Sequence, residues 1–90
     1  MYNILPYSYE QARKLGVTIY PSKHRGKKID VYKGNKFICA IGAHGMKDFP
    51  TYWKERGKSF ADDRRRLYHL RHRADDVYGT AGWYALRILW

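Results

Sequence analysis

Ninety residues leave room for one hydrophobic core, and a content 44% apolar and 17% aromatic is too high for a disordered segment. Eighteen Lys and Arg against eight Asp and Glu leave a net charge of +10, which favours a polyanionic partner: nucleic acid, an acidic protein surface or anionic lipid. No run approaches the roughly 18 to 20 apolar residues of a membrane span, Met1 to Tyr9 lack a signal-peptide pattern, and the single Cys39 excludes both an internal disulfide and a multi-cysteine zinc site.

In chain order, Ser8 and Gln11 have the spacing of a capping box, and Pro6 and Gly16 bracket a short helix over about residues 9 to 15. Val17-Thr18-Ile19-Tyr20 is β-branched and aromatic, a short strand stopped by Pro21. Gly34-Asn35 separates two strand-like runs, Lys28 to Tyr32 and Phe37 to Ile41, and glycine suits the first centre of a type II′ turn. That register sets Val31 opposite Ile38 and Ile29 opposite Ala40 on an apolar face, with Tyr32–Phe37 and Asp30–Cys39 on the other.

The remainder reads as helical. Asp48 or Thr51 can cap a segment around Tyr52 to Arg56 that ends at Gly57. Ser59 and Asp62 open a second helix from Phe60 to about Arg73. At 100° per residue Phe60, Leu67, Leu70 and Ala74 fall within an arc of about 80°, with a basic outer face. Thr80 to Trp90 carries one charge, Arg87, and a helix so apolar belongs in a core or against a partner.

The expected fold is therefore a single α+β domain, a small antiparallel hairpin or three-stranded sheet packed against two or three helices. Residues 1–27 supply a helix, a strand and a basic loop; residues 28–90 supply the hairpin and the Phe60–Arg73 and Thr80–Trp90 helices.

Charge concentrates in two places. Lys23-His24-Arg25-Gly26-Lys27-Lys28 holds four cations in six residues, and Lys54 to Arg73 holds eight against Glu55, Asp62 and Asp63. Lys23, Arg25, Lys27, Lys28, Arg64, Arg65, Arg66 and Arg73 are the candidate phosphate contacts. Arg71 borders the apolar arc and is instead expected to hold a structural ion pair with Asp63, Asp75 or the Trp90 carboxylate. Tyr7, Tyr9, Tyr52, Trp53 and Tyr68 can stack bases or fill the core.

Catalytic patterns are sparse. His69 and His72 share a helix face, but arginines surround them and no carboxylate is adjacent, so no metal site is expected. Cys39 reads as a small core residue, and Asp62-Asp63 and Asp75-Asp76 as helix-dipole and salt-bridge groups. No cofactor or catalytic residue is assigned. A further alternative is a small metal-dependent nuclease with His24 or His44 in its site; the two lie in different loops.

Ile41-Gly42-Ala43-His44-Gly45-Met46-x-Asp48, Tyr68-x-x-Arg71-His72, Thr80-Ala81-Gly82-Trp83 and Ile88-Leu89-Trp90 follow the hairpin in an order that resembles an uncharacterised family of small basic proteins of large DNA viruses. The resemblance spans about residues 28 to 90 and implies a viral protein of the infected host cell, virion-associated or not, with a hairpin-plus-helices fold. It brings no activity. The expected function is non-enzymatic nucleic-acid binding, DNA in preference to RNA. The alternative is a minor capsid or cement protein that binds acidic viral protein surfaces, with the C-terminal helix contacting neighbours or a second copy.

Overall fold

A computed structural model describes all residues 1–90. The elements run α1 (Pro6–Leu15), β1 (Thr18–Pro21), β2 (Lys27–Lys33), β3 (Lys36–Ala43), α2 (Phe49–Arg56), α3 (Lys58–Arg71), a 3₁₀ turn (Arg73–Asp75) and α4 (Ala81–Ile88). This is the expected α+β class, with an antiparallel sheet ordered β1-β2-β3. The chain divides into two compact units, Met1–Met46 and Lys47–Trp90.

In the first unit α1 begins earlier than the Ser8–Gln11 spacing suggests. Pro6 occupies its first turn, where a missing N–H costs nothing, and Ser8 is buried within the helix. Gly16 ends it as anticipated, at φ 73°, with its N–H on the carbonyls of Ala12 and Arg13. Gly34 has φ 62° and Asn35 is not left-handed, the combination a type II′ turn requires.

Tyr32 faces Phe37 as expected, but the register then changes. An irregularity at Val31/Tyr32 leaves Ile38 unpaired, so Val31 meets Cys39, Asp30 meets Ala40 and Ile29 meets Ile41. A strict two-residue alternation would have put Ile41 on the opposite face; the bulge restores it to the buried one. Ile19, Ile29, Val31 and Ile41 are all buried. Tyr20, Asp30, Tyr32 and Phe37 share the other face, where Tyr20 is opposite Asp30.

In the second unit, Asp48 caps α2 by accepting the Thr51 N–H at 3.0 Å, and Thr80 caps α4 by accepting that of Trp83 at 3.3 Å. The orientation of α3 departs from the expected apolar arc. Of that arc Phe60 and Leu67 are half-buried, but Leu70 is 57% exposed and Ala74 lies in the 3₁₀ turn; buried Ala61 and half-buried Arg65 and Tyr68, with His72 at the C-cap, form the rest of the inward side. Trp90 decides this. Its ring stacks on Tyr68 at 4.1 Å and 7°, and His72 stacks on Tyr68 at 4.1 Å. A large aromatic contact outweighs the burial of one leucine. The Phe49 N–H donates to the Leu89 carbonyl at 2.9 Å, so both ends of this unit are tied together.

Gly82 sits where α4 crosses the 3₁₀ turn. A Cβ there would stand 2.8 Å from the Asp75 Cβ and 2.9 Å from its carbonyl oxygen, and backbone cannot yield as a side-chain tip can. Gly82→Ala is therefore expected to destabilise the second unit by about 1–3 kcal/mol, as overpacking does. Urea unfolding followed by tryptophan fluorescence checks it, since Trp53, Trp83 and Trp90 all lie in this unit.

Candidate nucleic-acid interface

The basic loop between β1 and β2 is organised by a carboxylate. Asp30 is 4% exposed. It accepts the Ser22 hydroxyl at 2.6 Å, the Lys23 amide at 3.2 Å and the His24 Nδ1–H at 2.9 Å. The Ser22 oxygen in turn accepts the His24 amide at 2.9 Å. The Lys27 N–H reaches the His24 carbonyl at 3.1 Å, and the His44 N–H reaches that of Gly26 at 3.0 Å. Burial by itself would raise the Asp30 pKa; the Ser22, Lys23 and His24 donors outweigh it and hold the carboxyl below the usual range.

This anchoring directs the loop's cations outward. Lys23, Arg25 and Lys27 are exposed, with no carboxylate within ion-pair distance of their charged ends. Lys28, expected beside them, is only 5% exposed. Its ammonium donates to the Met46 carbonyl and stands 5.2 Å from the Tyr2 ring centroid. As β2 alternates, Lys28 falls on the same side as Asp30 and Tyr32 but is drawn into the structure, so it is not available to a phosphate in solvent.

The other four candidates lie in the second unit. Arg66 and Arg73 are exposed. Arg64 is exposed but leans over Tyr52 and Phe60, at 5.6 and 5.7 Å. Arg65 is packed, its guanidinium 3.8 Å from the Phe49 ring centroid, because it belongs to the inward side of α3. A cation committed to an aromatic face in this way contributes packing in place of phosphate reach.

Arg71 does not hold the structural ion pair expected of it. It is exposed at the last turn of α3, one turn on from Tyr68. Asp75 bonds His72 Nδ1 at 2.9 Å, and the ion pair that closes this end of the unit is Arg87–Asp76 at 2.7 Å. Arg87, partly buried, also lies 4.1 Å over Trp83.

No group of three or more His, Cys, Asp or Glu is placed to hold a metal ion. His24 is engaged by Asp30, and His44 is exposed. Burial, with the Asp30 charge adding to it, pushes the Cys39 thiol pKa up and so disfavours the thiolate. No helix is long and apolar enough to cross a membrane.

One feature escaped the sequence reading. Tyr20, Tyr32 and Phe37 come from three strands, and their rings form a line across one sheet face: Tyr20–Tyr32 at 5.5 Å, Tyr32–Phe37 at 5.6 Å, and His24 stacked on Phe37 at 5.0 Å. Of the aromatic residues singled out from sequence, Tyr52 and Tyr68 are packed against Trp90, while Tyr9 and Trp53 are exposed. The available signal was the Tyr32–Phe37 pairing flanking Gly34-Asn35. Comparison with protein-family models, curated proteins and solved structures gives no match.

Two outcomes follow. The folded pKa of Asp30 lies below its unfolded value of about 3.9, so its contribution is present above that pH and is lost as pH falls through the folded pKa. Asp30→Asn should remove this part of the acid sensitivity, and Asp30→Ala should cost about 1–3 kcal/mol and expose the Lys23 and His24 amides to hydrogen exchange. Arg71→Ala should change the urea midpoint by no more than about 0.5 kcal/mol equivalent, the value of an exposed position.

Proposed function

We propose that this chain binds nucleic acid through phosphate neutralisation and catalyses no reaction on it. The carrying observation is the Ser22–Lys27 loop. A buried carboxylate spends its hydrogen bonds on the loop's hydroxyl, amide and imidazole donors, while Lys23, Arg25 and Lys27 extend into solvent without an acidic partner. A cation already paired within the protein gains little from a phosphate; one without a counter-charge releases the condensed ions of the nucleic acid at full effect. Arg66 and Arg73 supply similar exposed cations in the second unit, and Arg64 a partly engaged one. The resemblance of residues 28 to 90 to small basic proteins of large DNA viruses supports reading the chain as a viral protein of the infected cell or the virion.

Titration with duplex and single-stranded DNA at two salt concentrations tests the reading. Affinity should fall steeply with salt, with a logarithmic slope of about 0.9 per duplex phosphate neutralised. The Lys23→Ala/Arg25→Ala/Lys27→Ala variant should weaken binding and reduce that slope by about 2–3. Absence of salt-sensitive binding at low ionic strength overturns the proposal in favour of an acidic protein surface as the partner.

A further inference from the structure

We infer that the Tyr20–Tyr32–Phe37–His24 face is a base-stacking platform and that the nucleic acid it takes is single-stranded. The inference rests on the phosphate-binding reading above and adds the part of the ligand that phosphate contacts cannot recognise.

An outward line of aromatic rings costs solvation that burial would have recovered. Tyr20 is 52% exposed and Phe37 40%. The apolar residues of the opposite face show that the sheet had somewhere else to put such side chains: Ile19, Ile29, Val31 and Ile41 are all buried. The rings are held in place by one another at 5.0 to 5.6 Å, and one end of the line is fixed further by the His24–Asp30 hydrogen bond. A ligand would therefore meet rings already positioned, with little side-chain entropy left to lose.

Charge selects the occupant. Lys23 and Arg25 flank His24 at one end of the line and form an exposed cationic edge there, with no carboxylate paired to either, whereas Lys33 and Lys36 alternate to the opposite sheet face. A greasy protein partner would find this edge of cations unfavourable to desolvate, whereas an unpaired strand presents base faces to the rings and phosphates to the edge. In a duplex the bases are already stacked and paired, and only the phosphates remain to be contacted. Adjacent strands are about 4.8 Å apart, so the line spans about 10 Å, and sheet faces of this kind take roughly two or three bases.

The test measures binding of three fluorescent ligands of about 15 nucleotides, long enough for one such site: oligothymidylate, oligouridylate and a DNA duplex. The proteins are the wild type, Tyr20→Leu and Tyr20→Leu/Phe37→Leu; leucine keeps an apolar side chain on the strand and removes the π-face. The single variant on edge strand β1 guards against a double variant that fails to fold, which its amide spectrum would reveal. The wild type should bind a single strand more tightly than the duplex. The double variant should lose about tenfold or more for the single strand, with duplex affinity and salt slope unchanged. Loss in the thymidylate arm, the uridylate arm or both supports the inference and assigns DNA, RNA or either. Salt-sensitive binding that is equal for single and double strands and insensitive to both variants overturns the stacking inference and leaves the phosphate reading standing. No binding to any of the three at low salt overturns both.

Discussion

The contact on which the rest of the first unit depends is the one between Asp30 and the loop that precedes it. A carboxylate on a sheet face, nearly out of water, is costly unless its lone pairs are filled, and here a hydroxyl, an amide and an imidazole fill them. All three donors come from consecutive residues, Ser22, Lys23 and His24. The carboxylate thus acts as the internal counter-surface for a loop otherwise held by a few backbone bonds, Ser22 to Lys28, Lys27 to His24 and His44 to Gly26. One cost is solved and a shape is obtained: the loop's backbone turns inward to Asp30, and its long cationic side chains have only solvent to enter.

Elsewhere the chain treats its positive charge differently. In the second unit the guanidinium groups of Arg56, Arg65 and Arg87 lie 3.8 to 4.2 Å from ring centroids of Phe60, Phe49 and Trp83. These arginines act as flat, wettable covers for an aromatic cluster in a unit too small to surround it with aliphatic side chains. The net charge of +10 is therefore two populations. One is structural and paired with π-electrons or carboxylates; the other, centred on Lys23, Arg25 and Lys27, is exposed and has no carboxylate partner within the chain.

Local features were legible because their causes are local. The αL glycine after α1, the Asp48 cap and the Gly34-Asn35 turn each follow from a few neighbouring residues and a backbone group needing a partner. The misread features depend on distant partners. An apolar-arc argument ranks Leu70 above Tyr68 on α3, because it weighs side chains by hydropathy without knowing that Trp90 waits to stack on Tyr68. Arg71, one turn from Tyr68, stays exposed, and Arg87 holds the ion pair at this end of the unit. Likewise, two-residue alternation cannot anticipate the bulge at Ile38, since the gain lies in returning Ile41 to the buried face beside Ile29.

The amino-acid sequence by itself determined the α+β class, the order of the elements, the hairpin turn and the two basic segments, all set by propensity, capping and composition within short windows. The tertiary structure alone decided which cations are free to act and which aromatics are displayed. Lys28 turned inward while Lys23, Arg25 and Lys27 turned out, and Tyr20, Tyr32 and Phe37 met across three strands. Both outcomes are set by strand register and by a single buried carboxylate, and register is a property of paired strands that neither strand carries alone.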